Sequence, residues 1–212
     1  MDLAVAVAAI RAADPIMGAF IERAGPYEPR SGAGDYFASL ARAILYQQLA
    51  GRAAAAIHAR FVETLGGAVT PGAVLQATPE SLRKAGLSGN KTAAILDLAA
   101  KSSDGTVPLD KLETLDDEAI IERLSTVRGI GRWTAEMFLM FELARPDVWP
   151  VDDFGVRNGW TLIHSLPAII KPAELRQAGE PFRPHRSVPA WYCWRAVSVF
   201  RGEMVLPEAA KA

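Results

Sequence analysis

The chain has 212 residues, of which half are hydrophobic and 22% are charged, and its formal net charge at pH 7 is −1. A globular chain of this length buries roughly 70% of the surface that its unfolded form exposes, so it needs no disulfide or metal to hold a core. The composition excludes disordered and membrane-embedded proteins. The near-neutral charge also excludes a protein that holds nucleic acid by bulk electrostatics, so any such contact would be local.

A single cysteine, Cys193, excludes an internal disulfide, a four-cysteine zinc site and a cysteine-ligated iron–sulfur cluster. We therefore expect a protein of a reducing compartment, either cytoplasmic and associated with a nucleoid, or nuclear in a eukaryote. The hydrophobic run from Leu3 to Ile10 is too short to span a bilayer and lacks the flanks of a signal peptide. We interpret it as a first helix and expect a monomer without membrane contacts.

Helix signals dominate the chain, because hydrophobic residues recur at spacings of three and four and alternating runs of strand length are scarce. The sequence therefore predicts an all-α fold. Three pairs place a capping side chain before a proline at the first helical position: Asp14-Pro15, Thr70-Pro71 and Thr78-Pro79. The predicted helices lie near residues 3–10, 15–24, 36–48, 53–65, 71–76 and 79–85. Gly25 and Gly86 are predicted to end helices in the left-handed conformation.

Proline and glycine cluster around residues 25–34 and again around 179–189. These clusters predict that a single domain, residues 1–212, is divided into two helical lobes. The central lobe is expected to contain residues 34–145. The second lobe is expected to combine residues 1–33 with residues 146–212.

The most informative segment is a glycine turn between two predicted helices, at about 116–144. Gly129 and Gly131 flank one apolar residue, which makes a tight reversal whose backbone a partner can approach closely. The amides that open the next helix point toward any anion there, so a phosphate fits. A plain turn between packed helices explains the glycines equally well. The backbone carbonyls of Ser125, Val127 and Gly129 are a candidate site for Na⁺ or K⁺, and we expect no cofactor to be required.

Residues 149–153 read Trp-Pro-Val-Asp-Asp and follow the helix that leaves this turn. With both features, the chain resembles the helix-hairpin-helix DNA glycosylase superfamily, and within it the 3-methyladenine DNA glycosylase II branch. The resemblance extends from about Tyr36 to Trp194. Segments 42–49, 82–87 and 186–194 also match, in the same order. The extra N-terminal sheet domain of some members is missing, so the resemblance implies a compact, two-lobed helical bundle.

The resemblance implies a DNA glycosylase of base excision repair, which flips a damaged base out of duplex DNA and hydrolyses its N-glycosidic bond. The second acid of the family motif is catalytic, and Asp153 matches it. A carboxylate beside the anomeric carbon stabilises the positive charge that develops on the sugar. This role requires a carboxyl group that is not enclosed by the protein. The alternative is that Asp152 or Asp153 only caps the following helix.

Trp133 stands where bifunctional members of the superfamily have a lysine, two residues after the second hairpin glycine. In those members the lysine amine attacks the sugar and leads to strand cleavage. Trp133 has no such amine, and the chain has no cysteine cluster. We therefore predict simple hydrolysis that leaves an abasic site, without lyase activity.

Trp133 also matches the residue on which the family stacks the flipped base. A base alkylated on a ring nitrogen is cationic, so it gains an additional attraction to an electron-rich ring. Tyr46 and Gln47 are the next predicted members of the base pocket. Met137 and His185 complete it, but they depart from those members of the family in which a tyrosine and a tryptophan occur at these positions. His185 is equally consistent with a surface residue in a proline-rich turn.

Opening a duplex requires a side chain that fills the gap left by the flipped base. Gln48 matches the family's gap-filling residue and Leu49 lies beside it, although a polar helix end without a special role is the alternative. The expected partner is double-stranded DNA that contains damaged bases. The other predicted DNA contacts belong to the hairpin: Arg128, Gly129, Ile130, Gly131, Arg132 and Thr134.

Three other functions remain open. A related glycosylase could act on another lesion, such as uracil, oxidised guanine or mismatched thymine. A non-catalytic helix-hairpin-helix module would bind DNA through backbone amides alone, but Asp153 argues against it because a carboxylate repels phosphate. A protein–protein scaffold would leave the Trp-Pro-Val-Asp-Asp segment unexplained.

Trp191 and Trp194, three residues apart in an apolar helix, are predicted to be core residues.

Overall fold

The structure is a computed structural model that describes residues 2–29, 32 and 34–203. Its described residues form α-helices and two short 3-10 helices, Leu112–Thr114 and Glu180–Phe182, and no β-strand. The all-α prediction is confirmed. No described helix is both long and apolar enough to cross a bilayer. The helices are α1 (Leu3–Ala13), α2 (Pro15–Ala24), α3 (Tyr36–Tyr46), α4 (Gly51–Thr64), α5 (Pro71–Gln76), α6 (Pro79–Lys84), α7 (Gly89–Ser103), α8 (Asp117–Ser125), α9 (Arg132–Phe141), α10 (Phe154–Ile163), α11 (Pro172–Gly179) and α12 (Ser187–Phe200).

The helix boundaries follow the local signals closely. Asp14, Thr70 and Thr78 cap α2, α5 and α6 by accepting hydrogen bonds from backbone amides of the first turn. Gly25 and Gly86 both have positive φ, at 83° and 107°, but the ψ of −175° at Gly25 lies outside the left-handed helical conformation predicted for it. The helix predicted over 36–48 ends earlier, at residue 46, and the one predicted over 53–65 begins at residue 51.

The chain divides into two compact units. One unit contains residues 31–143, and the other contains residues 1–30 together with residues 144–212. The sequence-based division had its boundaries at residues 34 and 145, compared with 31 and 143 in the structure.

In the unit of residues 31–143, α7 packs against α3 and α5, and α8 packs against α9. The face of α3 that the sequence predicts to be apolar is buried in this unit. Ile95 and Leu98 of α7 are also buried. Each side chain of this kind contributes about 1.5–3 kcal/mol when it is removed from water. The buried side chains of α3 are Phe37, Leu40, Ala41, Ile44 and Leu45.

In the other unit, α10 packs against α12 at very short range. A Cβ atom added at Gly159 would overlap the Cys193 carbonyl and lie 2.6 Å from the Cys193 Cα atom. A Cβ atom added at Gly155 would lie 2.6 Å from Cδ1 of Trp194. The two glycines are four residues apart and therefore face the same side of α10. They allow the backbone of α12 to approach α10.

Cys193 lies inside this helix pair and is fully buried. Burial raises the pKa of its thiol well above the ordinary value, and the nearby carboxylates of Asp153 and Asp14 act in the same direction. The thiol is therefore neutral and has little nucleophilic character.

We predict that Gly159→Ala destabilises the protein, because the added methyl group would overlap the backbone of Cys193 and force α10 away from α12. The expected loss in the free energy of unfolding is about 1–3 kcal/mol, as for other overpacked interfaces. Urea denaturation measures it. Gly72→Ala in α5 is the control, since a Cβ atom there meets no heavy atom within 4 Å. Equal stability of the two variants would contradict the close approach of α10 and α12.

Candidate functional site

Asp153 is the N-cap residue of α10. Its Oδ1 atom accepts a hydrogen bond from the Val156 amide at 2.7 Å and another from Nε1 of Trp194 at 2.8 Å. The capping interpretation of Asp153 is therefore correct as a structural description. Capping does not exclude a catalytic role, because an ionised carboxylate that accepts hydrogen bonds keeps its negative charge.

The catalytic role requires a carboxyl group at Asp153 that the protein does not enclose. The residue is largely buried but not fully enclosed, since 8% of its surface is exposed. Its neighbours on both sides, Asp152 and Phe154, are exposed. A largely buried carboxylate interacts more strongly with a positive charge than one in bulk water, because the surrounding dielectric constant is lower.

The segment before Asp153 is held by buried contacts. Trp149 is buried, and its Nε1 atom donates a hydrogen bond to the Leu175 carbonyl at 2.8 Å. Its ring meets Trp160 of α10 edge-on, with the ring centroids 6.0 Å apart. Pro150 and Val151 are buried as well. The Trp-Pro-Val part of the motif therefore anchors the N-terminal end of α10 and so positions Asp153.

Trp191 and Trp194 are half-buried, so the prediction that both are core residues is wrong. Trp191 packs edge-on against Tyr27 and Tyr192 and lies under the guanidinium of Arg195. Trp194 instead donates its indole N–H to Asp153. The spacing of the two tryptophans predicted that both lie on one apolar face of α12. That spacing could not predict that Asp153 of the α10 N-cap lies within hydrogen-bond distance of Trp194.

The hairpin joins α8 to α9 in the other unit. Gly129 has a φ of 79°, a conformation that favours glycine. Gly131 is the N-cap of α9 and supplies no side-chain hydrogen bond. The first amides of α9 therefore lack the side-chain acceptor that a serine or aspartate cap would provide, which leaves them available to an anion.

Two residues of α7, Asp97 and Lys101, hold the hairpin, and no sequence motif pointed to either of them. Asp97 accepts a hydrogen bond from the Arg128 amide at 2.7 Å and forms an ion pair with Lys101 at 2.9 Å. Nζ of Lys101 also donates to the Thr126 carbonyl at 2.5 Å. The hydrogen bonds and the charge of Lys101 lower the pKa of Asp97 against the opposing effect of burial, which is the largest single contribution.

The predicted cation ligands are partly engaged by hydrogen bonds. The Val127 carbonyl accepts from the Ile130 amide at 3.0 Å, and the Gly129 carbonyl accepts from Nε2 of Gln47 at 2.8 Å. A carbonyl oxygen has two lone pairs, so a single hydrogen bond does not by itself exclude a further ligand on either atom. No group of three His, Cys, Asp or Glu side chains among the described residues forms a metal site.

The predicted DNA-binding residues of the hairpin differ in exposure. Arg128, Gly129, Gly131 and Arg132 are exposed, whereas Ile130 and Thr134 are buried.

Arg132 is held by carboxylates within its own unit. Its guanidinium binds Glu118 through contacts of 2.6 and 3.0 Å and Glu136 at 3.1 Å. These partners raise the pKa of Arg132, and the Arg132 hydrogen bond lowers the pKa of Glu118. A phosphate would therefore have to compete with two carboxylates for this side chain.

A cavity of about 670 Å³ is lined mainly by α3 and α9. It brings together four of the five predicted pocket residues: Tyr46, Gln47, Trp133 and Met137. Trp133 is 48% exposed, and Phe138 and Phe141 add further aromatic surface. Arg42 also lines the cavity, with its guanidinium carbon 4.3 Å from the centre of the Tyr46 ring.

His185, the fifth predicted pocket residue, belongs to the unit of residues 1–30 and 144–212. It is half-buried, which is compatible both with a pocket residue and with the surface residue in a proline-rich turn that is its alternative. Its Nδ1 atom is buried without a hydrogen-bond partner among the described residues. Buried polar atoms are normally paired, so this nitrogen is an unusual feature of the unit.

The segment after α3 is fixed from two sides. Nζ of Lys91 donates to the Leu45 carbonyl at 2.5 Å and to the Gln47 carbonyl at 2.9 Å, and its burial lowers its pKa. The Gln47 side chain binds the hairpin at Gly129. Gln48 has a φ of 56°, which is rare for a residue with a side chain, and both Gln48 and Leu49 are exposed. The sequence analysis missed the role of Lys91.

Comparison with known proteins places these features in one family. Residues 41–184 match the model of the HhH-GPD superfamily base excision DNA repair proteins. DNA-3-methyladenine glycosylase 1 of Schizosaccharomyces pombe is 36% identical over 178 residues, which cover 82% of this chain and 74% of that protein. A DNA-3-methyladenine glycosidase structure from Bacillus halodurans has a TM-score of 0.88 at 33% identity, and the match covers 93% of this chain and 91% of that one. A Schizosaccharomyces pombe 3-methyladenine DNA glycosylase in complex with abasic DNA has a TM-score of 0.78 at 34% identity, over 90% of this chain and 95% of that one.

We predict that Lys91→Met loosens the segment after α3, because two backbone carbonyls at the end of that helix lose their donor. The expected loss in the free energy of unfolding is about 1–2 kcal/mol. Amide hydrogen exchange at residues 47–50 should become faster than in the unmodified protein. Lys84→Met, at an exposed position of α6, is the matched control. If exchange at these amides were the same in both variants, Lys91 would not hold the segment.

Proposed function

Because the chain belongs to the HhH-GPD superfamily of base excision DNA repair proteins, we propose that it is a monofunctional DNA glycosylase for alkylated bases of the 3-methyladenine type. The names of the most similar relatives support this substrate class. The proposal rests on one observation above all: the Asp153 carboxylate is held at the N-cap of α10 by a backbone amide and an indole N–H.

In the proposed reaction, the carbon–nitrogen bond between deoxyribose and base breaks, and its electron pair leaves with the base. Positive charge then develops on the sugar. The ionised carboxylate of Asp153 stabilises that charge, and water adds to the anomeric carbon and loses a proton. The products are a free base and an abasic site. A base alkylated on a ring nitrogen leaves as a neutral molecule, which lowers the barrier.

Base recognition is assigned to the cavity of residues 31–143. The indole face of Trp133 is the surface on which a cationic base would stack, and Tyr46 and Met137 line the same cavity. Gln47 also lines it, with its side-chain amide bound to the Gly129 carbonyl. His185 remains a predicted pocket residue on the basis of the family resemblance.

DNA binding is assigned to the hairpin and to the segment after α3. The first amides of α9 would bind a phosphate, and Arg128 is an exposed cation next to them. Gln48 would fill the gap left by the flipped base, with Leu49 beside it. The carbonyls of Ser125, Val127 and Gly129 would hold Na⁺ or K⁺, which would supply positive charge to the same phosphate.

The direct test incubates the protein with duplexes that each contain one defined lesion, and compares alkali-treated with untreated strands. We expect breaks at alkylated purines only after alkali, because hydrolysis leaves an abasic site with an intact backbone. Breaks without alkali would contradict the monofunctional mechanism. Cleavage of uracil or oxidised guanine alone would support a related glycosylase with another lesion. DNA binding without any cleavage would support the non-catalytic module.

We predict that Asp153→Asn lowers the single-turnover rate by about 10²-fold or more, because the charge opposite the developing cation is lost. DNA affinity should be equal or higher, since a charge that repels phosphate is removed. Gel-shift titration measures the affinity. Asp152→Asn is the control, because it removes the neighbouring, exposed carboxylate. An unchanged rate in Asp153→Asn would remove this residue from catalysis.

We predict that Trp133→Ala weakens the excision of cationic bases more than that of neutral bases, because the neutral base lacks the cation–π attraction. The expected additional loss is about 1 kcal/mol, or roughly fivefold in rate. Single-turnover rates for a cationic and a neutral lesion in the same duplex context measure it. Trp133→Phe retains an aromatic face and should retain most of the preference. Equal losses for both lesions would contradict cation–π recognition.

A further inference from the structure

We propose that Trp194 is a positioning residue for Asp153, whose indole N–H holds the carboxylate in the orientation that glycosidic bond cleavage requires. This inference rests on the proposed function of Asp153. Trp194 does not contact the reacting atoms in this assignment; it acts through the carboxylate.

The geometry is that of a two-donor clamp on one oxygen. Oδ1 of Asp153 receives the Val156 amide at 2.7 Å and Nε1 of Trp194 at 2.8 Å. The first donor belongs to α10 and fixes the oxygen relative to the axis of its own helix. The second belongs to α12 and restricts rotation of the side chain about its Cα–Cβ bond. Hydrogen bonds to an ionised acceptor are about twice as strong as neutral ones, so both donors are effective anchors.

Gly155 provides the space in which this clamp forms. A Cβ atom at this position would lie 2.6 Å from Cδ1 of Trp194, 2.9 Å from its Nε1 atom and 3.0 Å from Oδ1 of Asp153. Any larger residue would therefore displace both partners of the hydrogen bond. Glycine within a helix costs up to about 1 kcal/mol relative to alanine. The close approach of the indole and the carboxylate is the physical reason for glycine at this position.

The surroundings of Trp194 distinguish it from its neighbour on α12. Both tryptophans are half-buried, but Trp191 makes ring contacts with Tyr27 and Tyr192, with centroids 5.3 and 4.9 Å away. Trp194 places its polar N–H on a largely buried carboxylate. An indole nitrogen can only donate a hydrogen bond and an ionised carboxylate can only accept one, so the two groups are chemically matched. The negative charge of this carboxylate is what opposes the developing positive charge.

The test is Trp194→Phe, which removes the N–H and keeps an aromatic ring. With a duplex containing one excised lesion and enzyme in excess, we expect the single-turnover rate to fall by about 10- to 100-fold, the effect of a misplaced catalytic group. DNA affinity should stay close to that of the unmodified protein, and the melting temperature should fall by only a few degrees, roughly the effect of one lost hydrogen bond. The maximal single-turnover rate should fall while the enzyme concentration that gives half of this rate stays the same, because binding does not use the indole N–H.

Two further variants make the result decisive. Trp191→Phe is the matched control and should retain the maximal rate. Gly155→Ala retains both Asp153 and Trp194 but separates them, so it should reduce the maximal rate to a similar extent. A Trp194→Phe protein with the full maximal rate would overturn the inference. So would a parallel loss of rate, affinity and melting temperature, because that pattern describes a residue with only a structural role.

The inference and the proposed function fail in different ways. If Asp153→Asn retains activity, the catalytic assignment of Asp153 fails and the role of Trp194 fails with it. If Asp153→Asn abolishes activity while Trp194→Phe behaves as Trp191→Phe does, the proposed function stands and only the positioning role is overturned.

Discussion

The close approach of α10 and α12 is the constraint on which the proposed chemistry depends. Gly159 allows the backbone of Cys193 to lie against α10, and Gly155 leaves room for the Trp194 indole. Only at this separation can the indole N–H reach the carboxylate of Asp153. A methyl group at either glycine would change the distance between the two helices. The packing of α10 against α12 therefore determines the geometry of the candidate catalytic carboxylate.

The unit of residues 31–143 uses a different device to hold its functional backbone. Lysine and aspartate side chains of α7 bind backbone atoms of neighbouring segments: Lys91 binds the end of α3, and Asp97 and Lys101 bind the hairpin. Gln47 then joins these two segments directly through Gly129. Loops that must present exposed groups such as Gln48 have few apolar contacts of their own. Charged side chains from a well-packed helix supply the rigidity instead.

The electrostatics of the chain agree with local rather than bulk contacts to DNA. The formal net charge is −1, and Arg132 is engaged by Glu118 and Glu136. Such a surface attracts a polyanion weakly at long range, so binding must come from specific groups, of which the helix amides and Arg128 are the candidates. When the general attraction to DNA is weak, a larger share of the binding free energy comes from a base that enters the cavity.

The sequence was enough to predict the helix boundaries and the hairpin, because caps, glycines and helical spacing act over a few residues. The family motifs, which occur in the expected order, were enough to group four residues of the cavity: Tyr46, Gln47, Trp133 and Met137. The partner of Trp194, the carbonyls bound by Lys91 and the burial of Asp153 were not. Each of these joins segments that are far apart in the chain, and an indole or an ammonium can bind any acceptor within its reach. Only the packed helices decide which acceptor that is.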